Sequence, residues 1–193
     1  PTRYRSSAAS DVYKRQRSSA RETASRVAAG AVARKVISHL SKKKILIQGA
    51  VTQIGKMSIN PRHFKWNEVR KNSFFCPDKK IISTWEEYLD VTRKNGTSLG
   101  ARILVNVKNV PSGLGEPIYG KLDADLASAM MSINAIKGVE IGLGNESVEI
   151  SGDENSDEIR VKNKKISFSS NNSGGILGGI SSGQDINISI ACL

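Results

Sequence analysis

The residues best suited to chemistry stand in Arg17-Ser-Ser-Ala-Arg-Glu-Thr-Ala-Ser-Arg-Val-Ala-Ala-Gly-Ala31. Ser19 and Glu22 have capping-box spacing, in which a serine hydroxyl and a glutamate three residues on satisfy free N–H groups at a helix start. Those N–H groups and the helix dipole favour negative charge. Arg17 and Arg21 add two guanidiniums whose forked donors match phosphate or carboxylate. The stretch therefore reads as an anion-holding helix start. A capped surface helix with solvated arginines fits the same residues, and both readings stay open on the residues alone.

A second stretch, Asn171-Asn-Ser-Gly-Gly-Ile-Leu-Gly-Gly-Ile-Ser-Ser-Gly183, matches neither the phosphate-loop pattern, since no Gly-Lys-Ser/Thr follows, nor the dinucleotide fingerprint. Its paired glycines let main chain approach a flat or charged ligand and expose N–H donors. Tight packing against a helix is the other use of such glycines. His39 and His63 lie far apart, with no cysteine or acidic partner at ligand spacing, and read as packing or surface residues. Cys76 and Cys192 show no metal or redox spacing, and neither a signal peptide nor an apolar run of membrane-spanning length is present. The setting expected from this is reduced, soluble and cytoplasmic.

Charge is concentrated at the amino end. Of the net +11, residues 1–16 carry +3, residues 17–44 carry +7 and the rest only +1. Nucleic-acid binders more often spread basic residues and aromatics along an extended face, and aromatics are sparse here. A small polyanionic ligand suits the focusing better. A non-enzymatic anion- or nucleic-acid-binding module using the basic helix at 17–44 is the alternative.

Positioning these residues requires the following elements. Residues 1–16 show no apolar periodicity and read as a foreign or misassembled leader. A helix is expected from Ala20 to about Ser41, with Ala24, Val27, Ala28 and Ala31 on one side and Val32, Val36, Ile37 and Leu40 largely on the other, so that both sides need cover. Strands are expected at Ile45–Ile54, Leu99–Val110, Lys137–Ile141 and from Ile186 onward, and a short helix at Trp85–Lys94 ended by Asn95-Gly96. Pro111–Pro117 is a turn with close backbone approach. Asp123–Ile136 reads as a helix buried all round, because no charged side chain occurs after Leu126. Ser147–Phe168 reads as a hairpin whose acidic tip, Asp153, Glu154, Asp157 and Glu158, is solvated. Helices needing cover on both sides, alternating with one-faced strands, imply an α+β fold of helices sandwiched between antiparallel β-sheets.

Three stretches carry a family resemblance: RSSARETASRVAAGA (17–31), GLGEPIYGKLDADLASAMMSINAIKGVEIG (113–142) and NNSGGILGGISSGQDI (171–186). In order and spacing they resemble chorismate synthase, and the resemblance covers residues 17–193. It implies a lyase of the shikimate pathway of aromatic amino acid biosynthesis. The reaction is anti 1,4-elimination of phosphate from 5-enolpyruvylshikimate 3-phosphate, giving chorismate, and depends on reduced FMN, with NADP as a further nucleotide linked to the family. It also implies a cytoplasmic homotetramer without nucleic-acid or membrane partners. Residue by residue, the family's flavin contacts fall on Arg17, Ser18, Ser19, Asn134, Ala135 and Gly178, and Arg21 corresponds to a substrate-binding arginine. The family's amino-terminal Ser-His segment and carboxy-terminal Arg-x-Asp-Pro-like segment, with its proton-handling histidines and aspartate, have no counterpart here. By resemblance, residues 17–193 are a partial domain, expected to be inactive alone, with no catalytic residue assigned.

Overall fold

The computed structural model describes residues 20–41, 43–162 and 165–193. Helix α1 spans Ala20–Leu40, with Glu22 in its first turn and His39 in its last, each placed to complement the dipole. Its apolar residues stay uncovered on both sides: Val27, Val32, Val36 and Leu40 are all exposed. Two arginines tie the helix to the remainder, Arg26 to Ser132 and Arg34 to the Ile47 carbonyl. The leader expected over 1–16, together with Arg17, Ser18 and Ser19, lies outside the described residues, as does the side chain of Arg21.

The main sheet has five strands in the order β2-β1-β3-β9-β4. They are β1 (Leu46–Ile54), β2 (Met57–Ser58), β3 (Ala101–Lys108), β4 (Ile136–Ile141) and β9 (Ile186–Cys192), all paired antiparallel. Register follows from alternation. Ile103, Val105 and Val107 of β3 stand opposite Ile190, Ile188 and Ile186 of β9, so all six share one face. Helix α3 (Leu122–Met131) lays Leu122, Leu126 and Met130 on that face, and Ile188 at the centre is fully buried. A second cluster surrounds Trp85 of helix α2 (Ile82–Lys94), which packs with Ile54 and Cys76 and donates its indole N–H to the Met57 carbonyl at 3.2 Å. Helices with antiparallel sheets make the fold α+β, as expected.

Three expectations change. Helix α3 ends at Met131, not Ile136, and only one side is covered. Met131 is 49% exposed, because the sheet meets only the side carrying Leu122, Leu126 and Met130. The hairpin at Ser147–Phe168 is smaller: β5 (Ile159–Lys162) pairs with β6 (Lys165–Phe168), and the acidic residues precede it instead of forming its tip. Before it come a 3-10 segment over Gly144–Glu149 and one helical turn over Gly152–Asn155, whose Ser151 and Glu154 form a capping box. Finally, α2 begins three residues earlier than the periodicity indicates, since a 3-10 turn at Lys79–Ile81, capped by Asp78, leads straight into it.

Candidate functional site

Asn134 and Ala135 occupy the turn between α3 and β4. The helix has already ended at Met131, and Ala135 at φ +68, a left-handed backbone, turns the chain into β4. The turn is closed by the Ile136 N–H donating to the Ile133 carbonyl at 3.3 Å, and its far side is held by the Leu193 N–H donating to the Ala135 carbonyl at 3.1 Å. Two residues before Asn134, Ser132 receives both ends of one guanidinium: Arg26 Nη1 donates to Oγ at 2.9 Å and Nη2 to the carbonyl at 3.0 Å. The amino-terminal half of α1 therefore lies against this turn. Arg17, Ser18, Ser19 and Arg21 precede Arg26 on the same stretch of chain.

The glycine-rich stretch folds as a tight hairpin, β7 (Ile176–Leu177) with β8 (Ile180–Ser181), with Gly178 and Gly179 at its tip. Gly178 has φ +61, and a Cβ built on it meets no atom within 4 Å. Main chain at Gly178 is thus open to a ligand, whereas a Cβ on Gly179 would stand 2.6 Å from Lys121 Cγ. The base is closed instead: Ile176 is buried in the main core, and a Cβ on Gly175 would come within 2.5 Å of the Asp185 carbonyl. Gly174, Gly175 and Gly179 thus pack against neighbouring chain, and only Gly178 of the two pairs has open space beside it.

Neighbouring segments fix the hairpin. The Leu122 N–H, at the start of α3, donates to the Gly179 carbonyl at 2.8 Å. The turn at 111–117 runs alongside: Gly113 N–H donates to the Ser181 carbonyl, Ser181 N–H to the Leu114 carbonyl, and Ser181 Oγ donates to the Pro111 carbonyl at 2.7 Å. Gly115 passes so close to the Gly179 carbonyl that no side chain fits between them. Gly178 and the pair Asn134–Ala135 consequently lie toward opposite ends of α3, a helix about 15 Å long by the rise of its ten residues. The structure ties α1 to Ser132, two residues before Asn134, and Gly179, next to Gly178, to the other end of α3.

Beneath the hairpin sits a residue that sequence reasoning dismissed. Asp157 is half-buried, not solvated: its carboxylate accepts from Ser170 Oγ at 2.6 Å and from the backbone N–H groups of Asn172 at 2.7 Å and Ser173 at 2.9 Å. Burial pushes its pKa up, but these bonds outweigh that and hold the carboxyl below its ordinary value. In the sequence it is one acid among several, and only the return of the chain at 170–173 singles it out. The histidines likewise acquire a feature that spacing hid, since His63 Nδ1 lies 3.4 Å from the buried Asp78 carboxylate. Among the described residues no group of three or more His, Cys, Asp or Glu could hold a metal, and no helix is long and apolar enough to cross a membrane.

The sequence model of the family described as Chorismate synthase matches residues 2–192. A chorismate synthase of Pelagibacter ubique is 58% identical over 177 residues, which cover 91% of this chain and 49% of the relative. One of Hyphomonas neptunium is 56% identical over 175 residues, covering 91% of this chain and 47% of the relative. A solved crystal structure of chorismate synthase superposes with a TM-score of 0.84 at 35% identity, over 95% of this chain and 61% of that one. The chain spans about half the length of the curated relatives it matches.

Proposed function

Because this chain belongs to the chorismate synthase family, we propose that it serves the elimination that family name denotes: phosphate and a proton leave 5-enolpyruvylshikimate 3-phosphate, and chorismate forms. One C–O bond breaks and its electron pair leaves with phosphate, one C–H bond breaks and its pair enters the added C=C bond as the existing ring C=C shifts one position, and the overall redox state is unchanged. The observation that carries this proposal is the family match at residues 2–192, which runs through all three motif stretches.

The residues present fit a flavin phosphate. Gly178 offers open main chain at its tip, with no atom within 4 Å of a built Cβ. Arg17, Ser18, Ser19, Asn134, Ala135 and Gly178 would hold reduced FMN, and Arg21 would hold a phosphate or carboxylate of the substrate. When bound, reduced FMN supplies an electron-rich partner that assists the departure of phosphate. The chain's own part is to bind and orient. Forked arginine donors at a helix start would fix the anionic groups of cofactor and substrate. No proton transfer is assigned to His39, on an exposed turn of α1, or to His63, which faces Asp78 at 3.4 Å. The same proposal includes a cytoplasmic homotetramer, and turnover only when the chain carries the additional length of its relatives.

The test uses a completed chain, in which residues 17–193 replace the matching stretch of the Pelagibacter ubique relative. Tight FMN binding under reducing conditions supports the proposal. Absence of FMN binding, with steeply salt-dependent DNA binding in its place, contradicts it.

A further inference from the structure

Asp157 touches none of the residues proposed for cofactor or substrate, yet it holds the turn from which the glycine hairpin rises. Its Oδ1 accepts from Ser170 Oγ and the Asn172 N–H, and its Oδ2 from the Ser173 N–H, all between 2.6 and 2.9 Å. Three short bonds to one carboxylate are charge-assisted, and each is stronger than a neutral one. The turn is gripped from other directions by main chain and amides. Leu143 N–H donates to the Asn172 carbonyl at 2.9 Å, Asn171 Nδ2 to the Asp185 carbonyl at 2.8 Å, and Asn172 Nδ2 to the Glu154 carbonyl at 3.0 Å. Gly142 lies so close beneath that a Cβ there would stand 2.6 Å from the Gly174 nitrogen.

Immediately after Ser173 come Gly174 and Gly175, both at positive φ. Neither has a side chain to fix its backbone, so the path from turn to tip depends on its anchors. On the far side, Ser181 is already locked to the turn at 111–114. On the near side, Asp157 supplies three of the anchors through one side chain, so a single change there removes the most. Three donors engage most of the carboxylate's roughly four acceptor sites, and its charge would repel an anionic ligand. Direct contact with phosphate is therefore excluded for it.

We propose that Asp157 is a positioning residue, fixing the glycine hairpin so that the Gly178 main chain is preset for the cofactor. This rests on the assignment of Gly178 to reduced FMN made above. Asp157→Ala removes all three bonds. Asp157→Asn keeps an oxygen for Ser170 and Asn172 but turns an amide donor toward the Ser173 N–H, so its effect is smaller.

The experiment measures FMN affinity, with kcat and the KM for substrate at saturating FMN, in the completed chain, alongside amide exchange at Asn172 and Ser173. Expected for Asp157→Ala is about a tenfold rise in the FMN dissociation constant, with kcat within about twofold of the parent once FMN saturates. Asp157→Asn should fall between the two, with faster exchange at Ser173. Should the Ala variant not fold, the Asn variant carries the same comparison. FMN affinity unchanged in either folded variant, while the parent binds FMN, overturns the role of Asp157 alone. A parent that binds no FMN overturns the Gly178 assignment and this inference with it.

Discussion

Replacing Gly178 by alanine separates a ligand-facing glycine from a merely conformational one. Two costs can be worked from the geometry. The backbone at φ +61 is left-handed, where an L-residue loses about 1 kcal/mol, and a Cβ there meets no protein atom within 4 Å, so no clash adds to it. In a chain of 193 residues about 1 kcal/mol lowers Tm by roughly 3 °C, and in the completed chain, about twice as long, by roughly half that. Gly96 provides a matched control: it ends α2 at φ +67, and its Cβ also meets nothing within 4 Å. If FMN lies against the Gly178 main chain, the added methyl crowds the ligand at about 1–3 kcal/mol, weakening FMN about five- to 150-fold. Gly178→Asn tolerates the left-handed backbone better but still projects a side chain, so its Tm should recover while its FMN affinity stays low. FMN titration and thermal unfolding of the completed chain read both quantities. If Gly178→Ala loses the same Tm as Gly96→Ala and binds FMN as the parent does, the hairpin tip has only a packing role. Gly178→Val, bulkier and branched, should then also bind normally.

Arg17→Ala and Arg21→Ala in the completed chain should each weaken a phosphate-bearing ligand about tenfold or more, with little change in Tm, as fluorescence titration with FMN and substrate can check. Cys76 is fully buried, donates to the Asp78 carbonyl at 3.3 Å, and has its thiol pKa pushed up by burial. It should resist iodoacetamide at neutral pH in the folded chain and react once the chain is unfolded, as mass spectrometry of the labelled peptide reports. Asp157 has a folded pKa below its unfolded one, so its stabilisation is fully present above the ordinary value of 3.8 and is lost as pH falls through the lowered one. Amide protection at Asn172 and Ser173 should hold steady from neutral pH down to about 4 and decline only in stronger acid; a decline between pH 7 and 5 would contradict this.

The parts of the fold that sequence displays most openly are those with a strict period. Alternation of Ile186, Ile188 and Ile190 identified β9 and its core face, and Ile103, Val105 and Val107 did the same for β3, because one slipped residue would turn every apolar side chain to the wrong side. Asn95-Gly96 marked the end of α2 for an equally local reason, the left-handed cap at Gly96. Helix α3 misled because the apolar run continues through Ile133 and Ile136. The helix ends at Met131 with Ser132 as its cap, and the left-handed backbone at Ala135, which no residue type announces, then turns the chain so that Ile136 serves the sheet. Asp157 was invisible for a different reason. Its three partners lie 13 to 16 residues downstream, and a carboxylate that organises a turn has the same one-letter code as one that meets only water. In the candidate site, the family resemblance alone marked Asn134, Ala135 and Gly178, and their placement toward opposite ends of α3 is a property of the packed chain.

The most direct measurement is phosphate release from 5-enolpyruvylshikimate 3-phosphate with reduced FMN under anaerobic conditions, comparing the 193-residue chain with the completed chain. The completed chain should release phosphate and form chorismate in equal amounts, while the 193-residue chain, with α1 uncovered at Val27, Val32, Val36 and Leu40, should release none. A completed chain that binds both ligands yet releases no phosphate would contradict the proposed function. Robust turnover by the 193-residue chain would instead show that its own residues suffice for the proton transfer denied here to His39 and His63.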